Sequence, residues 1–215
     1  NKPYKAGFLG AGAYAHHIPA VVPFITSRSE FYTAYTPYQA EMSQGMLQAI
    51  FEYQSMICAL TGMDVSNASV YDGATAAAEA VIMARNSKRK KQTVAISAGM
   101  HPDTLAVLRT YAHASGAQLV QVPLKEGKTD LDALRAAAPD MAAYLYAQPN
   151  FYGCLDDVFA IQQICRENDA LVIASCDPIS LGMLAAPGEY ADIAIGDGQA
   201  LGNPVSFGGP GLGFM

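Results

Sequence analysis

The 215-residue sequence predicts an α/β protein built on a mostly parallel sheet covered by helices. Three observations carry that expectation. From Thr93 onward, short β-rich runs alternate with segments of helical period. Each run ends in a loop rich in glycine, proline or isolated polar residues. Apolar residues make up 51% of the chain and charged residues only 15%, a balance that favours burial in a core or in a large subunit interface.

The elements follow in order. Residues 7–39 carry Pro19, Pro23 and Pro37 among aromatic residues and glycines, so no long helix is expected there. From Gln44 the apolar residues Leu47, Ile50, Phe51, Ile57 and Leu60 recur at helical spacing, and Gly62 is a stop signal. A second helix starts near Gly73 and runs through the alanines to Ala84. TVAIS (93–97) reads as a strand. PDTLAVLRTYAHAS follows as a helix closed by Gly116. AQLVQVPL reads as a strand, and DLDALRAAA as a short helix with Asp130 as its cap. MAAYLYAQ, ALVIASC and ADIAIG are strands, with the helical LDDVFAIQQICREND between the first two. In such sheets ligands sit beyond the carboxyl ends of the strands. The loops that matter are therefore SAGMHPD, AQPNFYG, ASCDPIS and GDGQALG.

Composition narrows the class. Net charge is −6, and the one basic run, Lys88-Arg89-Lys90-Lys91, reads as a solvated loop; no nucleic-acid partner is expected. No apolar run is long enough for a membrane-spanning helix, and no signal peptide opens the chain, so a cytoplasmic protein is expected. Cys58, Cys154, Cys165 and Cys176 form no CxxC pair and read as buried free thiols. His16 and His17 are adjacent rather than at ligand spacing, so no metal site is expected.

GAGAYA (10–15) fits a loose dinucleotide pattern, but Pro19 and Pro23 stand where its helix should open, and it reads as a glycine-rich turn. YDGATAAAEA (71–80) places small residues at a helix start, where bare N–H groups and the helix dipole favour an anion. Asp72 competes for the same N–H groups and reads as the helix cap. His101, Asn150 and Asp177 are polar groups at three successive strand ends. An Asp in such a position could hold a pyridinium N–H by charge pairing, and a His could stack on an aromatic ring.

Several long stretches carry a resemblance: YTAYTPYQAEMSQGMLQAIFEYQSMI, NASVYDGATAAAEA, HPDTLAVLRTYA, DPISLGMLAAPGEYADIAIGDGQALG and GGPGLGFM. They resemble the P-protein (glycine decarboxylase) family of the glycine cleavage system, in its first-subunit form from bacteria that divide the enzyme into two chains. The resemblance covers nearly the whole sequence. It implies the large domain of the aspartate aminotransferase type (fold type I) of pyridoxal phosphate (PLP) enzymes, a three-layer α/β/α sandwich with a mostly parallel sheet. It implies that residues 1–40 form an N-terminal arm at an interface and 41–215 the large domain. A small C-terminal domain is expected beyond this sequence, which then reads as a fragment that exposes surfaces meant to be covered.

The same resemblance assigns His101 to stacking on the PLP ring, Asp177 to the ring nitrogen and Asn150 to the neighbourhood of the ring 3-oxygen, all three as remnants or working equivalents. Residues 71–75 match the phosphate cup in position. The Schiff-base lysine, expected on GDGQALGNP, is missing; no lysine follows Lys128. PLP is therefore expected to be bound covalently by the partner subunit, and this chain to act as a companion without a catalytic residue of its own. The implied partners are P-protein subunit 2, with which it forms a heterodimer that pairs again, the lipoylated H-protein and glycine. Tyr35, Thr36, Tyr38 and Gln39 are the expected contribution to the neighbouring active site. A non-catalytic scaffold subunit and an independent PLP enzyme are the alternatives.

Overall fold

A computed structural model describes residues 8–32 and 36–215. The N-terminal segment holds two short helices, α1 (Val21–Thr26) and α2 (Ser29–Tyr32), where only irregular chain was expected. Pro23 is tolerated because it sits in the first turn of α1, where an N–H has no intrahelical acceptor anyway. Helix α3 (Gln44–Thr61) ends at Gly62, which adopts the left-handed conformation with φ of 72°. Helix α4 spans Gly73–Ser87.

The core begins with β1 (Thr93–Ser97), α5 (Pro102–Ser115) and β2 (Gln118–Val122). A small hairpin, β3 (Leu124–Lys125) and β4 (Lys128–Thr129), leads into α6 (Leu131–Ala137). Then come β5 (Met141–Gln148), α7 (Val158–Glu167), β6 (Leu171–Cys176), β7 (Ile193–Asp197) and β8 (Gly213–Phe214). The expected strand AQLVQVPL stops early because Pro123 has no N–H to offer the ladder, and Leu124 turns away into the hairpin. The last expected helix begins only at Val158, since Asp156 is buried and pairs its N–H with Gln148.

The six-stranded sheet has the order β2-β1-β5-β6-β7-β8. All pairs are parallel except β7–β8. Period-two alternation divides the side chains between two layers. Val94 and Ile96, Ala143 and Leu145, and Ile173 join one core cluster with the buried face of α4 and Leu108 of α5. Ala95, Tyr144, Tyr146, Val172 and Ala174 point the other way, into a cluster with Leu134 of α6 and Ile161 and Ile164 of α7. The three-layer α/β/α expectation holds. After β1 the chain first moves outward to β2 and then returns past β1 to β5. The strand order therefore reverses between β1 and β5, the place where such sheets open a ligand crevice.

Helix α3 stands apart from this core. Only Ile57 and Thr61 of its 18 residues are buried. The stripe is covered only in part: Ile57 packs against Cys176 and Phe214, while Phe51 stays 64% and the neighbouring Met56 63% exposed.

Candidate functional site

A cavity of about 550 Å³ opens at the carboxyl ends of β1, β5, β6 and β7. Its walls include His101, Pro149, Asp177, Asp197, residues 72–74 at the start of α4, residues 11–14 and the glycine-rich stretch 208–211. Two of the three strand-end residues singled out in the sequence, His101 and Asp177, meet there. Asn150 does not line it.

His101 is placed by its role as the cap of α5. Its Nδ1 accepts the Asp103 N–H at 3.1 Å, so Nδ1 carries no proton. Nε2 therefore holds the ring hydrogen and donates to the Ala11 carbonyl at 3.2 Å. Phe151 meets the ring edge to face, with centroids 5.0 Å apart. Both nitrogens of the imidazole are thus engaged within the protein, and Phe151 packs beside the ring. Asp177 is exposed to the cavity, and its Oδ1 accepts the Ile179 N–H at 2.8 Å, which orients the carboxylate just past β6.

Asn150 is 5% exposed and lies behind the cavity wall. Its Oδ1 accepts the N–H groups of Tyr152 (3.0 Å) and Cys154 (3.1 Å), while its Nδ2 donates to the Gly127 carbonyl (2.8 Å). The side chain ties the loop after β5 to the β3–β4 hairpin and thereby holds Phe151 against His101.

The start of α4 carries two carboxylates. The Thr75 N–H donates to Asp72 Oδ1 at 2.7 Å, as expected of a cap. The Gly73 N–H donates to Asp197 Oδ2 at 3.1 Å. Asp197 is the residue that sequence reasoning missed. Its Oδ1 also accepts the N–H groups of Gln199 (2.9 Å) and Leu212 (3.2 Å). A side chain at Gly211 would collide with this carboxylate, which is why the returning loop must be glycine there. The signal that could have found Asp197 was present: it is a strand-end Asp in the same class of position as Asp177, followed by a glycine-rich chain able to close over it.

These residues do not fit PLP. An anionic phosphate at the start of α4 would meet two carboxylates that already take two of the N–H groups. No lysine or arginine lines the cavity among the described residues, so neither a Schiff-base amine nor a cation for the phosphate is at hand. The stretch 10–15 is no dinucleotide site: residues 8–18 contain neither strand nor helix, and the Ala11 N–H donates to the Tyr14 hydroxyl within a local turn. Among the described residues no group of histidine, cysteine and carboxylate side chains is arranged for a metal ion. No helix among them is long and apolar enough to cross a membrane.

Thr36, Tyr38 and Gln39 are exposed, Tyr38 to 83%. None of the three is in the cavity wall. Tyr35 lies outside the described residues.

Comparison with known proteins places this arrangement. The profile of the "Glycine cleavage system P-protein" family matches residues 1–215. A relative from Chlorobium chlorochromatii, named probable glycine dehydrogenase (decarboxylating) subunit 1, is 59% identical over 97% of this chain and 47% of its own length. A relative of the same name from Moorella thermoacetica is 55% identical over the same shares. The chain thus spans about half the length of the curated relatives it matches. A crystal structure of glycine decarboxylase (P-protein) in inhibitor-bound form superposes with a TM-score of 0.93 at 48% identity, over all of this chain and 48% of that one. A sphingosine-1-phosphate lyase from Burkholderia pseudomallei shares the fold with a TM-score of 0.69 at 17% identity, covering 93% of this chain and 52% of its own. By sequence along its whole length and by the architecture of its sheet, the chain belongs to the glycine cleavage system P-protein family.

Proposed function

We propose that the chain serves as the companion half, subunit 1, of a two-subunit glycine decarboxylase whose PLP is held by subunit 2. The observation that carries this reading is the start of α4. There Asp72 and Asp197 accept the N–H groups that a cofactor phosphate would need, in a cavity that no lysine lines among the described residues. The loop 196–204, where the resemblance expects the Schiff-base lysine, contains none, which supports it from the sequence side.

In that role the electron-sink chemistry belongs to the partner's cofactor, and this chain supplies shape. Residues 1–40 act as an arm, with 41–215 as the large-domain body. The exposed Phe51 and Met56 of α3 and the exposed Val21 and Phe24 of α1 give it surface to bury against another chain. Thr36, Tyr38 and Gln39, with Tyr35 beside them, offer hydroxyl and amide groups to a carboxylate or phosphate in the neighbouring site. The whole assembly would decarboxylate glycine and pass the aminomethyl group to the lipoyl arm of H-protein.

The test is reconstitution. Glycine-dependent CO2 release is measured with full-length subunit 1 alone, subunit 2 alone and the two together, each with H-protein. Activity only in the mixture is expected. Full activity of subunit 2 alone would sink the companion role, and activity of subunit 1 alone would make it an independent enzyme. Tyr38→Phe in the mixture then separates two forms of the role. A raised KM for glycine with kcat kept supports a contact in trans, and unchanged kinetics leave a scaffold.

A further inference from the structure

The far end of the sheet holds an arrangement that the proposed function does not use. Five of the chain's 13 cations, Arg85, Lys88, Arg89, Lys90 and Lys91, fall within seven residues of a protein whose net charge is −6. Two of the lysines are spoken for. Lys88 pairs with Asp169, and Lys91 donates to the Asn168 carbonyl, which pins the turn after α4 to the end of α7. The remaining cations are not neutralised in this way.

Arg85, Arg89, Asn86, Gln92, Ser115 and Ile82 line a cleft of about 540 Å³. It lies between the last turns of α4 and α5, just before β1, at the opposite end of the strands from the cavity described above. Gln92 organises it. Its Oε1 accepts from Arg85 Nη2 at 2.7 Å, while its Nε2 donates to the Arg89 carbonyl at 3.1 Å. Arg85 Nη1 reaches the carbonyl and hydroxyl of Ser115 only at 3.4 Å each, and its Nε is buried with no acceptor. Arg89 is exposed, and among the described residues it has no ion-pair partner. Among the described residues the cleft is lined by two guanidinium groups, a hydroxyl and two amides and by no carboxylate.

We infer that this cleft is a binding site for a small phosphate-type oxyanion, held between Arg85 and Arg89. The guanidinium fork of Arg89 matches the spacing of such oxygens and can donate two parallel bonds, while Arg85, already bonded to Gln92 and Ser115, adds its charge. Asn86 and Ser115 supply neutral donors beside them. One effect opposes the site. The carboxyl ends of α4 and α5 both point here, each worth about half a negative charge. Two full guanidinium charges, with Lys90 beside them, outweigh those two half charges. The site is independent of the proposed function and does not overlap the cavity at the other end of the sheet.

The test is calorimetric titration of the full chain with inorganic phosphate, at ionic strength fixed by chloride. Saturable binding at one site is expected, and sulfate should compete for it. Arg89→Ala, a surface change that leaves the fold intact, should weaken binding about tenfold or more, and Lys90→Ala about twofold or less. Arg85→Ala should abolish it, with circular dichroism to check that the variant remains folded. Glycerol phosphate binding more tightly than phosphate would mark an ester as the ligand, and the reverse order would mark the free ion; both orders support the site. Unsaturable heat that follows ionic strength, or an Arg89→Ala variant that binds like the parent, would overturn the inference.

Discussion

Replacing Asp197 by alanine tests whether the start of α4 is closed by the chain's own carboxylate. The substitution removes the acceptor for three backbone N–H groups, those of Gly73, Gln199 and Leu212, at 3.1, 2.9 and 3.2 Å. A hydrogen bond of this kind contributes about 1 kcal/mol net, and more when the acceptor is charged. Loss of a carboxylate at a helix N-terminus adds about 0.5 kcal/mol. Asp197 is only half buried, so water can replace part of what is lost. The expected cost is about 2–3 kcal/mol. Asp197→Asn keeps one oxygen but turns an NH2 toward a donor, and should cost about half as much. The assay is urea unfolding followed by far-ultraviolet circular dichroism, with Arg135→Ala, which breaks only a surface pair with Asp132, as a control costing about 0.5 kcal/mol or less. An Asp197→Ala variant no less stable than that control would refute the reasoning. The returning glycine loop would then be held by something other than this carboxylate.

Other expectations follow from single observations. Asn150→Ala should cost about 2–3 kcal/mol in the same assay, because it leaves the Tyr152 and Cys154 N–H groups and the Gly127 carbonyl without their partner. A loss below about 0.5 kcal/mol would contradict that reading. Burial pushes the thiols of Cys165 and Cys176 up to about 12, so in native protein at pH 8 an aromatic disulfide reagent should find only Cys58 and Cys154 and should titrate all four after unfolding. Rapid native modification of four thiols would disprove it. Burial also pushes the Tyr190 hydroxyl up to about 12 and those of Tyr144 and Tyr146 further up. In each case the folded state keeps a proton that the unfolded chain releases. The contribution of these groups to stability is therefore fully present below about pH 8.5 and is expected to be lost from there to pH 12, as the unfolded thiols and then the unfolded phenols ionise. A flat denaturation midpoint between pH 9 and 11 would be inconsistent with these burials.

Much of the scaffold is legible in the sequence because its signals are local. The caps at Asp72 and Asp130, the proline that opens α5 and the glycines that close α3 and α5 each act within one turn of the residue that carries them. The alternating sides of β1, β5 and β6 follow from period two alone. Strand β8 was not legible. It pairs through only two residues, Gly213 and Phe214, and it exists because β7 offers an open edge, which is a tertiary fact. The site divides the same way. His101 and Asp177 stand out because parallel strands gather their carboxyl ends. Asn150 stands out for the same reason, yet its amide is spent on three loop contacts behind the wall. Asp197 carries the decisive geometry, but its partners Gly73 and Leu212 are 124 and 15 positions away, and no local pattern joins them. The stripe on α3 correctly marks a helix, yet it is buried at Ile57 and open at Phe51, so helical period reports a face to be covered, not what covers it.

Subunit 2 as the holder of PLP, as proposed above, can be tested directly. The most direct measurement is the visible absorption spectrum of the full-length subunit with PLP, taken alone and then with subunit 2, before and after borohydride. The account predicts that subunit 1 alone gives only the spectrum of free PLP. A Schiff-base band that borohydride removes should appear when subunit 2 is added, with the pyridoxyl label on a subunit 2 peptide. A reducible band with this subunit alone, labelled at any of its own lysines, would contradict the account.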